Sequence, residues 1–581
     1  MTYILGINAY HGDSSACLLE NGKIVAAAEE ERFRRIKHWA GFPELAIRYC
    51  LEEAGAGLES IQHVAINQNA KANLVRKLAY VLLKRPDMGM VLERIRNRRQ
   101  RDNLPILLSR MFPGSSFKGR IHQVEHHLAH LSSAFLVSPF DEAVVVSVDG
   151  FGDFSSGAWG VGHGSAIRVS GRVYYPHSLG IFYQALTQFL GFPNYGDEYK
   201  VMGLAPYGRP VYLTEMRRIV RLERGGAYRL ELNYFRHHTH KIGYRWENSA
   251  PAVGRLYSDS LQEILGPPRK SSDPLEQHHY DLAASVQAMY EEAFFHLLDT
   301  LYSKYGCNSI ALSGGCAMNS VANGKIRRKT PFRKIYIQPA AGDAGGAIGA
   351  AFHVWHKMQP RRTCYMDHAY WGPEFDNLQI ERVLRKSVDA LERSGCRILF
   401  EEKDQDIWRF TAEAIAEGKV AGWFQGRMEW GPRALGNRSI LCDPRRPDMK
   451  DILNHKIKRR ESFRPFAPSI LREHVSEWFE EDDDVPFMMK VFQVREEKRS
   501  VIPAVTHVDG SGRLQTVYKA TNPKYYRLIE AFFRITGVPI LLNTSFNENE
   551  PVVCRPEEAL DCFLRTKMDI LVIGNWMIMR G

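Results

Sequence analysis

The opening residues alternate between apolar runs and small polar breaks. Tyr3–Asn8 is apolar, Ala9–Ser15 is a short turn of small and polar residues, and Ala16–Ala27 is apolar again. This is the pattern of a strand, a tight turn and a second strand. The plan returns at 143–161, where the run Ala143–Val148 ends at Asp149 and Gly150, passes a Gly/Ser-rich turn and resumes. Two such units, each opening a half of about 150 residues, predict a duplicated α/β domain with a cleft between its halves.

A third junction supports the same architecture. Ser309–Ser313 is apolar, Gly314 and Gly315 form a corner, and a helical pattern follows with Asn319 and Asn323 one turn apart. The glycines would let the backbone lie against a nucleoside, and the asparagine amides could reach ribose or base. Hairpin, hairpin and Gly-Gly corner in this order follow the plan of the actin, hexokinase and sugar-kinase superfamily. The periodicity breaks near 356–372, so residues 1–358 are expected to form this metal- and nucleotide-binding domain and 359–581 a second α/β domain.

Candidate chemistry in the first domain centres on His126 and His130. Four apart on a helix, they share a face about 5–6 Å apart, close enough to grip one divalent cation. Asp149 at a strand end and Asp343 in the strand-to-glycine junction 335–346 add carboxylates. Two imidazoles and two carboxylates form a mixed nitrogen/oxygen set that suits Fe²⁺, Mn²⁺ or Zn²⁺ and leaves room for phosphate oxygens.

The second domain carries a different signature. Arg433 and Arg438 lie in Gly426–Ile440, and Lys458 and Arg464 in Lys456–Pro468, among Gly and Pro and interleaved with Trp430, Leu435, Phe463 and Phe466. Guanidinium forks at rigid turns suit bidentate phosphate binding. Arg513 follows a glycine-rich turn. The apolar strand 538–547 ends in Asn543, Thr544, Ser545 and Asn547, where ligands sit in many α/β folds.

Composition narrows the class. At 581 residues the chain exceeds one ordinary core, and 44% hydrophobic with 25% charged residues describes a globular protein. No uncharged run reaches the ~18 residues of a membrane span, and the first residues are strand-like, without a signal-peptide pattern. Nine cysteines lack any CxxC pair, which favours a reducing, cytoplasmic setting. Of the net charge of +11, residues 71–120 carry +10, from thirteen Lys and Arg against three acids. That segment reads as a solvated helical excursion or as an anion-attracting arm. It does not mark the whole chain as a nucleic-acid binder.

Together these motifs resemble the ATP-dependent O-carbamoyltransferases of nodulation-factor and antibiotic biosynthesis, the NodU/CmcH type that includes the tobramycin enzyme. The resemblance spans essentially the whole chain. It is carried by Gly6–Asn8, His11 with Ser14–Ala16, Glu29–Phe33 with Lys37 and His38, and His126–His130. Asp149–Gly150, Glu198–Gly208, Gly314–Asn319, Asp343, Gly431–Ser439 and Asn543–Asn547 complete it.

The resemblance implies two steps. A YrdC-like C-terminal domain would join ATP, with its Mg²⁺, and carbamoyl phosphate into carbamoyl-adenylate. Arg433, Arg438, Lys458, Arg464 and Arg513 would hold the phosphates, with Asn543 and Ser545 lining the pocket. An N-terminal domain similar to the tRNA threonylcarbamoyl-adenosine transferase would carry the metal on His126, His130, Asp149 and Asp343. It would deliver the carbamoyl group to a hydroxyl of a small-molecule or glycan acceptor. His11 and Lys37 would line the transfer site, with His11 either accepting the hydroxyl proton or bonding a carbonyl in its turn. A tRNA-modifying transferase and an actin-superfamily ATPase or kinase are the alternatives, and a homodimer stays open as the assembly.

Overall fold

The computed structural model describes residues 1–84, 104–115, 117–239, 244–245, 249–362 and 364–581. Residues 85–103 and 116 of the basic stretch at 71–120 therefore lie outside the described residues. The chain divides into two compact α/β units. The first holds residues 1–322 and 326–366, and the second holds 323–325 and 367–581. All nine cysteines are free. No helix among the described residues is long and apolar enough to cross a membrane.

Two five-stranded sheets build the first unit, and they share one topology. In the first sheet, Tyr3–Asn8 pairs antiparallel with Ser15–Glu20, which pairs antiparallel with Lys23–Glu29. On its other side Tyr3–Asn8 pairs parallel with His63–Ile66, which pairs parallel with Arg120–Gln123. The second sheet repeats this arrangement. Glu142–Gly152, Ser155–His163 and Ala166–Tyr174 form the antiparallel part, and Ser309–Ser313 and Lys334–Ile337 the parallel part. Order and sense match strand for strand, which is the duplication that the two hairpins predict.

One element differs from the sequence reading. Residues 16–27, expected as a single strand, are two strands turning at Asn21 and Gly22, both at positive φ (48° and 78°). An Asn-Gly pair favours this tight hairpin because both residues tolerate the left-handed region.

Each half follows its last parallel strand with a helix, His126–Phe135 in the first and Gly345–Met358 in the second. The central strands Tyr3–Asn8, Glu142–Gly152 and Ser309–Ser313 are buried along most of their length, as strands covered on both faces must be. Their ends and the amino ends of these two helices therefore carry the chemistry.

The second unit is built on an eight-stranded mixed sheet. At its centre Arg438–Cys442 lies antiparallel to both Ala421–Phe424 and Ile540–Ser545. Trp423, Ile440 and Leu541 are buried at 1% exposure or less within a continuous apolar core.

Candidate active site

Helix His126–Phe135 begins at Glu125, whose carboxylate accepts hydrogen bonds from the amides of His127 and Leu128. Arg172 clamps that carboxylate with two bonds of 2.9 Å. Asp153, on the turn after Asp149, accepts from the amides of His126 and Asn69. The first amides of the helix are thus answered by two acids, as the helix dipole favours. His126 and His130 then project from one face.

Their Nε2 atoms lie 3.1 Å apart. Asp149 Oδ2 stands 3.2 Å from His126 Nε2 and 3.1 Å from His130 Nε2, and Asp343 Oδ1 stands at 3.5 and 3.4 Å. Bonds of about 2.1 Å to a common cation put neighbouring donors roughly 3.0 Å apart in an octahedron and roughly 3.4 Å apart in a tetrahedron. The observed spacings match that range, so these four residues could hold a divalent metal. Both imidazoles are at most 1% exposed, and neither Nδ1 has a hydrogen-bond partner among the described residues.

The second sheet fixes the carboxylates. Asp149 belongs to strand Glu142–Gly152, and its Oδ1 accepts from the Gly315 amide at 2.9 Å. Gly314 sits at φ 86°, and a Cβ there would overlap the carbonyl of Val148, so only glycine lets the corner close on the strand. The Gly-Gly corner thereby orients a ligand. Asn319 caps helix Ser320–Lys329 through the Ala322 amide and exchanges two bonds with the Gln287 side chain.

The charges within the cluster act on one another. Burial pushes the His130 imidazole down, but hydrogen bonds with Asp149 and Asp343 outweigh it and raise it to about 10. Burial raises Asp149, and the two imidazoles overcome this and hold it well below the usual range. Burial and the Asp149 charge raise Asp343.

His11 reaches the cluster from the turn of the first half. Its Nδ1 is 3.9 Å from Asp343 Oδ2, its ring centre is 5.0 Å from that of His126, and its Nε2 is 3.2 Å from the Gln68 amide nitrogen. Lys37 is exposed. Its neighbour His38 faces Asp13 instead, with Nδ1 2.8 Å from Asp13 Oδ1.

In the second unit the structure sorts the expected phosphate residues into two groups. Arg438 is fully buried, donates to the carbonyls of Gln425, Asn437 and Pro373, and lies 3.7 Å over the Phe424 ring. Lys458 donates to the carbonyls of Ser545 and Asn547 and to the Asn547 side chain. Asn543 Nδ2 lies within hydrogen-bond distance of Ala434 O, Ser469 Oγ and Gln515 Oε1, and Ser545 donates to Asn547. These side chains tie the loops together from inside. Glu429 completes the network by accepting from the amides of Leu435, Asn437 and Arg438.

Arg433, Arg464 and Arg513 form the other group, joined by Arg460, which the sequence reading missed. Burial and the charges of Arg433, Arg460 and Arg464 push the Arg513 guanidinium well below its ordinary value. Like charges acting together on a buried guanidinium would favour an anion beside it.

Comparison with known proteins gives the family. Residues 3–352 match the family model described as the carbamoyltransferase N-terminus, and 412–580 match the carbamoyltransferase C-terminus. The chain therefore belongs to the carbamoyltransferase family, of the NodU/CmcH type, and is an enzyme of that class. It is 40% identical to the uncharacterised protein sll1178 of Synechocystis, covering all of this chain and 97% of that protein. It is 39% identical to nodulation protein NolNO of Sinorhizobium fredii, over 98% of this chain and 79% of the relative. It is 35% identical to the 3'-hydroxymethylcephem-O-carbamoyltransferase of Amycolatopsis lactamdurans, over 46% and 48%.

Proposed function

We propose that this enzyme makes carbamoyl-adenylate from ATP and carbamoyl phosphate in its second, YrdC-like unit, and transfers the carbamoyl group to an acceptor hydroxyl in its first. The observation that carries the reading is the meeting of two buried imidazole nitrogens and two carboxylates at 3.1–3.5 Å in a carbamoyltransferase-family chain. The chemistry explains the need for two steps. Nitrogen donates into a carbamate carbonyl and makes it a poor electrophile, and a mixed anhydride with AMP supplies a good leaving group.

Arg433, Arg464, Arg513 and Arg460 hold the phosphates, whose charge neutralises theirs. Arg438, Lys458, Asn543 and Ser545 shape that pocket from beneath. His126, His130, Asp149 and Asp343 would hold a divalent metal, which would supply Lewis-acid stabilisation of phosphate and carbonyl oxygens. Glu125, Asp153 and the Gly315 amide keep those four side chains in place. His11 stands beside the cluster, where it orients the activated group. The acceptor is a small molecule or glycan, as the cephem relative's name indicates for that protein.

Incubating the protein with ATP, Mg²⁺ and carbamoyl phosphate should release pyrophosphate and, on transfer, AMP. Release of ADP without dependence on carbamoyl phosphate would overturn the reading in favour of a kinase or ATPase.

A further inference from the structure

The turn that brings His11 to the ligand cluster continues through Gly12 to Asp13, and Asp13 holds a histidine that the reading above leaves unused. His38 Nδ1 lies 2.8 Å from Asp13 Oδ1. The His38 amide donates to Glu31 Oε2 at 2.7 Å, and Arg32 braces the other oxygen of Glu31 at 2.7 Å. Both members of the pair sit in the left-handed backbone region, Asp13 at φ 55° and His38 at φ 55°, as do the nearby Tyr10 and Arg35 at 61° and 60°. Non-glycine residues enter that region at a cost in backbone strain and concentrate where a side chain must be aimed.

The aim is specific. The His38 ring meets Tyr195 edge-on at 5.4 Å. Gly196 lets its Nε2 approach the backbone, since a Cβ there would overlap that atom. The Tyr195 hydroxyl in turn abuts Gly12. Asp13 therefore engages one ring nitrogen, and the other is left without a hydrogen-bond partner among the described residues on a side chain 32% exposed. His11, by contrast, has its ring nitrogens directed at Asp343 and Gln68.

Resting on the transfer reaction proposed above, we infer that His38, oriented by Asp13, is the base that accepts the proton of the acceptor hydroxyl. As the hydroxyl O–H bond breaks, its proton passes to His38 Nε2. The oxygen forms a bond to the carbamoyl carbon, and the carbamoyl C–O bond to the adenylate phosphate breaks, its electron pair leaving with AMP. Asp13 keeps the Nδ1 proton and stabilises the resulting imidazolium, which makes it a positioning residue.

The groups facing His38 are Asp13, Glu31, Lys37, Tyr195 and Glu198. Burial lowers its imidazole, while the charge and hydrogen bond of Asp13 and the charge of Glu31 outweigh this and the opposing Lys37, raising it to about 9. Transfer should accordingly climb with pH and level off near 9.

The test supplies carbamoyl-adenylate to the metal-loaded full-length enzyme and follows AMP release, with water as the acceptor. His38→Gln should lower the enzyme-catalysed rate about a hundredfold or more. His38→Ala should regain activity with added imidazole, and Asp13→Asn should move the pH limb towards acid. All three should keep pyrophosphate release in the first step. If the wild type fails to accelerate AMP release, the transfer reading itself falls. If it does accelerate release and the His38 variants match it, or lose it without imidazole rescue or any change in the pH limb, the assignment of His38 alone is overturned.

Discussion

The two charged clusters of this enzyme are built on opposite principles. In the first unit two imidazoles meet two carboxylates, and His130 and Asp149 move towards the charged forms that suit each other: His130 up, Asp149 down. In the second, Arg513 meets three further guanidiniums, and their charges press on it together with burial. Arg464 keeps a carboxylate neighbour in Glu461 at 3.3 Å, but the charges acting on Arg513 have one sign. A balanced cluster satisfies its own charges and would take up a cation by giving up protons. A cluster in which one sign dominates is held together by the rest of the fold and would gain stability when an anion arrives. On the proposed reading, the difference would separate a site for a resident metal from a site for a substrate that comes and goes.

Removing one member of the balanced cluster should have the largest effect. His130→Ala is expected to lose the metal and to lower transfer from supplied carbamoyl-adenylate about a thousandfold, while pyrophosphate release persists. Metal content and both half-reactions check this. Equal loss in both half-reactions would mean that the clusters do not divide the chemistry.

Arg438→Ala comes next and acts on stability. Its guanidinium answers three carbonyls inside the second unit, so truncation leaves them bare and should cost about 3 kcal/mol in denaturant unfolding of that unit. Were Arg438 instead a phosphate ligand, the variant would be as stable as the wild type and would lose only pyrophosphate release.

Arg513→Ala sharpens the contrast. Adenylate formation should fall some tens of fold, in line with a lost charged hydrogen bond of about 2 kcal/mol. The ligand-free protein, relieved of one repelling charge, should melt no lower than the wild type. Pyrophosphate should then raise its melting temperature less than it raises that of the wild type. A lower melting temperature without ligand would show that Arg513 is a structural clip like Arg438.

Much of this arrangement was legible in the sequence, and the unread part has a common cause. That His126, His130, Asp149 and Asp343 meet could be read because helical spacing and strand ends fix where a side chain starts. The duplication could be read because two similar hairpins opened each half. The fate of Arg438 and Lys458 could not. Both lie in the same Gly- and Pro-rich context as Arg433 and Arg464, and only the fold decides whether a long cationic side chain turns inward to carbonyls or outward to a ligand. Lys37 and His38 show the same limit on a smaller scale. Arg35, in the left-handed region, closes the short helix Glu31–Arg34, and the backbone that follows turns His38, not Lys37, towards Asp13. Glu125, directly before the histidine helix, did carry a signal as an acid in the cap position.

Between these extremes lies the His38–Asp13 pair, balanced in charge yet partly exposed, and its contribution to stability should be the smallest effect. Its imidazole is raised from an ordinary value near 6.5 to about 9 in the folded protein. A group raised on folding contributes stability that is fully present below its unfolded value and is lost as pH rises through the folded one. The pair should therefore support the first unit below about pH 6.5 and lose that support by about pH 9. With the side chain 32% exposed, solvent screening reduces the contribution to about 1 kcal/mol. Urea unfolding of wild type and Asp13→Asn across this window isolates the pair, since other titrating groups cancel in the difference. The two stability curves should converge as pH rises, and parallel curves would show that Asp13 does not charge His38 in the folded enzyme.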